Sequence, residues 1–189
     1  MDTRPYSKEE LTNSVIETLL SVPKKLKGRA SKLKQDARGT LRFDCRLQCV
    51  ENNAPHLFKL FIRQSAKLED SFSIGLEYHC TPCGIDDYLT LMRVNGSTHQ
   101  HTNKVINNQT FKTFHVHQAT SEAIALNLQP EQFASPCSHY RDFRTALSYA
   151  WELWHISNPV ESIIRFEDDN QLERGNIIQL PLPWGDDPC

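Results

Sequence analysis

The chain has 189 residues, and its 21 Lys and Arg against 23 Asp and Glu give a net charge of −2 at pH 7. This length suits one domain with flanking segments better than two full domains, since ~100–200 residues per domain is usual. The nearly balanced charge excludes a uniformly basic protein that binds nucleic acid over its whole surface. No stretch approaches the ~18 apolar residues of a membrane span, and no secretory signal pattern is present, so we expect a cytoplasmic protein with no membrane partner.

The N-terminal segment predicts a short amphipathic helix followed by a basic linker. Ser7 and Glu10 have the spacing of a capping box, and apolar residues then recur at helical spacing until Pro23. Residues 24–38 contain seven basic side chains and one acidic side chain. Such a run either lies along a nucleic-acid backbone or is a solvated linker, and both interpretations stay open. The candidate phosphate-binding residues within it are Lys24, Lys25, Lys27 and Arg29.

From residue 39 onward the apolar period changes to two, which predicts strands. Five such segments are separated by short connections, namely 41–49, 57–62, 72–78, 87–94 and 110–117. Because most of these connections are too short for a crossover helix, they favour an antiparallel sheet. Helical patterns follow at 121–128 and 140–156. This order of elements indicates an α+β fold, with an antiparallel sheet of about five strands packed with helices on one face.

The chain therefore divides into three predicted parts. Residues 1–38 form the helix and basic linker, and residues 39–158 form the α+β domain. Residues 159–189 form an acidic, Pro-rich tail with seven acidic and two basic side chains. The tail and the linker have opposite charge, so they can pair within one chain or across a homodimer.

Two His-x-His pairs are the most informative feature of the predicted domain. They are His99 with His101, and His115 with His117. Because side chains at i and i+2 of a strand point to the same side, each pair presents two imidazoles on one surface. If the two segments lie side by side, four titratable rings converge.

Three interpretations of these histidines stay open. In the first, one imidazole removes the 2′-OH proton of RNA and another protonates the leaving 5′-oxygen, each contributing ~10²–10⁴-fold. In the second, three or four ring nitrogens bind a divalent metal such as zinc at ~2.0–2.1 Å and leave one position open for hydrolysis. In the third, the histidines fill the solvent face of a strand. The predicted cofactor is therefore either none or a divalent metal.

Three further polar residues near the pairs are candidates for substrate contacts. Arg93, on the preceding strand, has the planar fork that clamps a phosphate. Asn95 and Asn103 have amide groups that can position it.

The cysteines give a second and weaker metal hypothesis. Without a secretory signal they are expected to be thiols. Cys80, Cys83, Cys137 and His139 have ligand types suited to a structural zinc site. A single Cys-x-x-Cys is also compatible with a simple turn, and that alternative stays open.

The same residues carry a family resemblance. The succession FSIGLEYH, LTLMRVNG, HQHTN and FKTFHVHQAT resembles a pattern in uncharacterised prokaryotic and phage-associated families that include the TumE-type toxins. The resemblance covers roughly residues 40 to 120 and departs from the TumE-like form, which has adjacent histidines where this chain has His-Gln-His. It would carry over Arg93, Asn95, His99, His101, His115 and His117 as site residues. It implies RNA cleavage in a toxin–antitoxin or antiviral defence setting.

The sequence thus predicts a nuclease-like toxin or defence protein that cleaves RNA through a histidine cluster. Its expected partners are nucleic acid, RNA in preference to DNA, and an antitoxin or another protein of a defence complex. The alternative is a non-catalytic binding protein, such as a phage inhibitor or regulatory subunit that contacts protein or nucleic acid.

Overall fold

A computed structural model describes most of the chain up to residue 159. The described ranges are 4–28, 34–50, 56–81, 88–98, 100–103, 108–129 and 133–159. The predicted tail lies outside them apart from Pro159. Within these ranges, no helix is both long and apolar enough to cross a membrane.

The fold is built on one large antiparallel sheet. Its eight strands are β1 Lys24–Leu26, β2 Lys34–Gln35, β3 Thr40–Cys49, β4 Leu57–Ser65, β5 Phe72–His79, β6 Tyr88–Asn95, β9 His115–Gln118 and β10 Ala134–Pro136. The order is β1-β3-β4-β5-β6-β9-β10, and β2 pairs with the other end of β3. A separate two-stranded ribbon joins β7 His101–Asn103 to β8 Gln109–Phe111.

The predicted α+β class with a mostly antiparallel sheet is confirmed, but the strand count of about five is too low. The strands that the sequence did not reveal are only two or three residues long, so they show no alternation to detect. The predicted strand at 110–117 is two elements in the structure. It divides between β8 in the ribbon and β9 in the main sheet.

The two faces of the main sheet differ sharply because side chains alternate along each strand. On the buried face, apolar residues of the long strands are almost completely covered, as Phe43, Leu60, Ile74 and Val94 show. On what we call the open face, most side chains are half-buried or exposed. The open face carries Lys25, Lys34, Arg42, Asp44, Arg46, Lys59, Phe61, Arg63, Gly75, Glu77, Arg93, Asn95, His115 and His117.

Three α-helices are described: α1 Asn13–Ser21, α2 Ser121–Ala125 and α3 Phe143–Leu153. The α3 helix lies against β5 and β6. Its first residue, Phe143, packs edge-on against Phe72 with ring centroids 5.4 Å apart. At its other end the indole of Trp154 donates to the sulfur of Met92 at 3.5 Å. Both contacts join the helix to the buried face of the sheet.

The predicted N-terminal helix begins later than the capping-box spacing suggested. Ser7 and Glu10 close a short 3₁₀ turn, in which the Ser7 amide donates to Glu10 Oε2 at 2.8 Å. The α-helix begins only after Thr12, whose hydroxyl accepts from the amide of Val15 at 3.3 Å. The second cap is a better start for the helix because it leads directly into the buried apolar stripe that includes Ile16.

The complete burial of Lys24 contradicts its predicted role in phosphate binding. Its ammonium group donates to the carbonyl oxygens of Leu20 at 2.9 Å, Val22 at 2.8 Å and Trp154 at 3.0 Å. These carbonyls lie at the C-terminal ends of α1 and α3, where a positive charge is favoured. Burial lowers the pKa of Lys24 to about 7. Residues 24–26 form an edge strand rather than a linker, so alternation turns Lys24 inward and leaves Lys25 exposed.

Candidate metal centre

Strand β9 places two histidines of the site on the open face of the sheet. His115 lies opposite Asn95, and His117 lies opposite Arg93, on the neighbouring strand β6. Their shared orientation was predicted from the i, i+2 spacing. Both imidazoles are nonetheless buried, with exposed fractions of 0% and 2%. The interpretation of these two residues as solvent-face histidines is therefore wrong.

The β7–β8 ribbon supplies the third histidine, His101. The ribbon is held to the sheet edge by Asn103, whose amide makes both available types of hydrogen bond to Ala134. Its Nδ2 donates to the Ala134 carbonyl at 2.8 Å, and its Oδ1 accepts from the Ala134 amide at 3.0 Å. Asn103 was predicted to position substrate. Because it is buried and makes these two bonds, Asn103 instead holds the ribbon against the sheet.

The three histidines form a compact triad. One ligand nitrogen from each of His101, His115 and His117 lies within 4.8 Å of the other two. The ring of His101 is 4.8 Å from that of His117 and 5.6 Å from that of His115, measured between centroids. Phe111 packs against the triad, 5.5 Å from His101 and 5.7 Å from His115. Such a group of imidazoles has the donor set of a divalent metal site.

Hydrogen bonds fix the proton on one nitrogen of two of these rings and so place the lone pair on the other nitrogen. His115 Nδ1 is 2.7 Å from the carbonyl oxygen of Thr113, which can only accept, so Nδ1 carries the proton. His101 Nε2 is 2.9 Å from Asn103 Oδ1, which also accepts. The lone pairs are therefore on His115 Nε2 and His101 Nδ1. Histidines that bind metals are oriented in the same way, by donating the second N–H to an oxygen.

Two residues from other strands and loops support His115. Asn95 is 2% exposed, and its Nδ2 lies 3.4 Å from His115 Nε2. Its Oδ1 is buried and has no hydrogen-bond partner among the described residues. The hydroxyl of Tyr140 shares its proton between the carbonyls of Asn95 at 3.0 Å and His115 at 2.7 Å, and burial raises the pKa of Tyr140. Tyr140 thus joins β6 to β9 directly behind the centre.

Arg93 is the positively charged neighbour of the triad. It lies directly opposite His117 across the β6–β9 pair and on the same face. Its side chain is half-buried. An arginine in this place adds positive charge beside the histidines, which favours an anionic group such as a phosphate.

Among the described residues, no other predicted metal ligand joins the triad. His99, Arg29 and Cys83 lie outside the described residues. Cys80 is buried and disulfide-bonded, so its sulfur is not a thiolate metal ligand and the expectation of a free thiol is wrong at this position. The remaining residues, Lys25, Lys27, Cys137 and His139, are exposed or half-buried.

Sequence reasoning did not identify Phe111 or Tyr140 as neighbours of the centre. Phe111 reaches it because β8 pairs with β7, where Phe111 lies opposite His101. Tyr140 belongs to the segment before α3 and is far from β9 in sequence. Alternation along the predicted strand 110–117 places Phe111 on the face of His115 and His117, and the structure brings its ring against His115. No local pattern indicates the contact of Tyr140.

Comparison with known proteins finds no matching family model, no matching curated protein and no matching solved structure. The resemblance to TumE-type toxins therefore stays a prediction, and the function is argued from the residues of the site.

Proposed function

We propose that this chain is a metal-dependent nuclease that cleaves RNA, with His101, His115 and His117 as ligands of a zinc-type divalent ion. The observation that carries the proposal is the convergence of three histidine nitrogens within 4.8 Å of one another. In one common type of hydrolytic zinc site, the protein supplies three imidazoles and a water occupies the fourth position. Such an ion would lower the pKa of a bound water and polarise the phosphate.

The distances in the triad are compatible with a modest closure around an ion. Ligand nitrogens around a tetrahedral zinc lie ~3.4 Å apart, given bonds of ~2.0–2.1 Å. The nitrogens of the triad lie within 4.8 Å of one another, so their separations exceed this value by at most about 1.4 Å. His101 is half-buried on a short ribbon, so it is the ligand best placed to move.

Burial favours the metal over the metal-free mechanism. Acid–base cleavage of RNA needs both imidazoles within hydrogen-bond reach of the ribose and the leaving oxygen. His115 and His117 are almost completely covered, which suits ligands that hold an ion better than groups that must reach the ribose directly. The hydrogen bond between His115 Nδ1 and the Thr113 carbonyl also favours the metal, because histidine ligands are commonly oriented by an oxygen acceptor on the second nitrogen.

Arg93 has the proposed role of phosphate clamp. Its place opposite His117 puts a guanidinium beside the ion that the triad would hold. Together the ion and the arginine would stabilise the negative charge that develops on the phosphorane-like transition state. Asn95, whose Oδ1 has no hydrogen-bond partner among the described residues, would accept a hydrogen bond from the attacking water or from a ribose hydroxyl and so orient it.

The biological setting remains that implied by the resemblance. We propose a cytoplasmic toxin or antiviral defence protein whose activity is restrained by an antitoxin or another protein of a defence complex. The acidic tail, which lies outside the described residues, is the segment that could pair with basic surface in a homodimer.

The test is an RNA cleavage assay on the purified full chain. Wild type loaded with zinc should cleave a labelled single-stranded RNA, and a chelator should abolish cleavage, which readdition of zinc restores. His115→Ala and His117→Ala should each lower the rate by at least ~100-fold. The matched control is His155→Asn, because His155 is exposed at the end of α3 and its positive φ of 49° is tolerated by Asn.

Each remaining outcome selects a different function. Cleavage that persists in chelator but is lost in His115→Ala would replace the metal with acid–base catalysis. Stoichiometric zinc without cleavage of RNA or DNA would replace the enzyme with the non-catalytic binding protein. Equal rates for His117→Ala and His155→Asn would remove the triad from the active site.

A further inference from the structure

We infer that the open face of the sheet binds a single strand of RNA across β1 and β3 to β6, with Phe61 and Arg63 as its base-stacking platform. The inference rests on the proposed function, since it names the substrate that the histidine triad would receive. It concerns residues outside the triad, and its test does not require cleavage.

The charge of the open face is the first argument. Among the described strand residues this face carries seven basic side chains: Lys25, Lys34, Arg42, Arg46, Lys59, Arg63 and Arg93. Its acidic side chains on the same strands are Asp44 and Glu77. The chain as a whole has a net charge of −2, so basic residues are concentrated here. A surface of this kind tracks a phosphate backbone.

An aromatic ring in the middle of this charged face is the second argument. Phe61 is half-buried on β4, between Lys59 and Arg63 on the same face. It lies opposite Gly75 on β5, and a Cβ at Gly75 would be 2.1 Å from Cζ of Phe61. Glycine in a strand interior is unfavourable unless another group needs the space. The absence of a side chain at Gly75 lets the Phe61 ring lie against the sheet at a fixed position.

Arg63 extends this platform. Its Nη1 donates to the carbonyls of Phe43 at 2.8 Å and Ile62 at 2.7 Å, and its Nη2 donates to Asp44 Oδ1 at 2.8 Å. Its guanidinium carbon is 5.4 Å from the centroid of the Phe61 ring. The planar guanidinium is therefore held over the ring as a cation–π contact, and it forms the outer surface of the platform. Unpaired bases stack on aromatic rings and on guanidinium planes, whereas a duplex does not present these base surfaces.

The strand register connects the platform to the triad. Phe61 lies opposite Gly75, Gly75 opposite Arg93, and Arg93 opposite His117. Three strand spacings separate Phe61 from His117, a distance of roughly 14 Å, which a few nucleotides span. A strand whose base stacks on Phe61 can thus place a phosphate beside Arg93.

The first experiment measures binding without cleavage. A short labelled oligouridine is titrated with the full chain in the presence of a chelator, and fluorescence anisotropy gives the affinity. Phe61→Leu keeps an apolar side chain over Gly75 but removes the ring, so affinity should fall about tenfold. The matched apolar control is Leu126→Ala, because Leu126 is 66% exposed away from the sheet, and its affinity should equal that of wild type.

A second experiment tests the charge of the same face. The double variant Lys25→Gln, Arg46→Gln removes two exposed positive charges from the open face. It should reduce the slope of log affinity against log salt by about 1.4. The double variant Arg141→Gln, Arg144→Gln removes the same charge near the start of α3, and its slope should equal that of wild type.

The outcomes separate this inference from the nuclease proposal. The inference that the open face binds RNA is wrong if Phe61→Leu binds as tightly as wild type. It is also wrong if both double variants reduce the slope of log affinity against log salt equally, even when zinc-dependent cleavage is observed. If wild type binds oligouridine in the expected way but cleaves nothing, the inference that the open face binds RNA is supported and the nuclease proposal is wrong. Tighter binding of duplex RNA or of single-stranded DNA of the same length would overturn the assignment to single-stranded RNA.

Discussion

The two faces of the main sheet come from the same strands, yet they carry different kinds of side chain. Among the described sheet residues, the buried face has one charged group, Lys24, and all three of its N–H bonds go to backbone carbonyls. The open face has basic residues, the aromatic rings of Phe61 and Tyr88, and two histidines of the triad. Residues that stabilise the fold and residues that could bind a ligand therefore alternate along each strand. Substitutions one position apart should have separable effects.

The largest expected effect is on the buried face. Leu60→Ala removes a completely buried side chain from β4 and should lower the free energy of unfolding by about 2–5 kcal/mol. Arg46→Gln, exposed on the open face of the adjacent strand, should change it by less than about 0.5 kcal/mol. Urea denaturation of both variants measures the difference. Similar losses in the two proteins would show that the faces do not divide stability from binding.

The next effect concerns the triad. An ion that binds the folded chain at 100 times its dissociation constant should raise the free energy of unfolding by about 2.7 kcal/mol. Zinc should produce this gain in wild type and in His155→Asn, and the gain should disappear in His117→Ala. Thermal or urea denaturation with and without zinc measures it. A zinc effect that survives His117→Ala would place the ion elsewhere.

Asn103 tests whether the ribbon must be held to the sheet for the triad to form. Its side chain binds the Ala134 backbone at 2.8 and 3.0 Å and orients His101. Asn103→Ala should therefore weaken zinc binding by about 10–100-fold, as measured by competition with a chelating dye. Asn108→Ala is unsuitable as a control because Asn108 has a positive φ of 54°, so Thr102→Ala on the same ribbon is used. Equal zinc affinities for Asn103→Ala and Thr102→Ala would show that zinc binding does not depend on Asn103 holding the ribbon to the sheet.

The last effect is the pH dependence that Lys24 gives to the buried face. Burial lowers the pKa of Lys24 to about 7 from its ordinary value of 10.5. Between these values the unfolded chain holds a proton that the folded protein has released. The free energy of unfolding should therefore rise with pH by at most about 1.4 kcal/mol per unit in this window.

Lys24→Met isolates that contribution. The variant has no amine to titrate, so its curve of unfolding free energy against pH should lack the rise between pH 7 and 10.5. Parallel curves for wild type and variant would show that the three carbonyl acceptors hold the ammonium charged over the whole range.

Much of the sheet could be predicted because alternation is a local property. The period of two over 72–78 places Phe72, Ile74, Leu76 and Tyr78 on one face, and all four side chains are buried. The shared face of His115 and His117 followed from the same period. The short strands were not predictable, because two or three residues show no period.

The composition of the site depended on contacts that no local pattern contains. Asn103 binds Ala134, which is 31 residues away, and Tyr140 binds the carbonyl of Asn95, 45 residues away. Lys24 was assigned to phosphate because a run of positive charge hides the alternation of an edge strand. Phe61 was available from the sequence as the central residue of Lys59-x-Phe61-x-Arg63, an aromatic on the polar side of a strand. The structure explains this pattern, because Gly75 lies opposite Phe61 and leaves space for its ring.

The central claim is that three imidazoles share one ion. X-ray absorption at the zinc edge, on the full chain loaded with one equivalent of zinc, tests it most directly. The account predicts a first shell with three imidazole nitrogens at ~2.0–2.1 Å and one further light ligand. A shell with fewer than three imidazoles, or zinc that is removed by gel filtration without chelator, would contradict it.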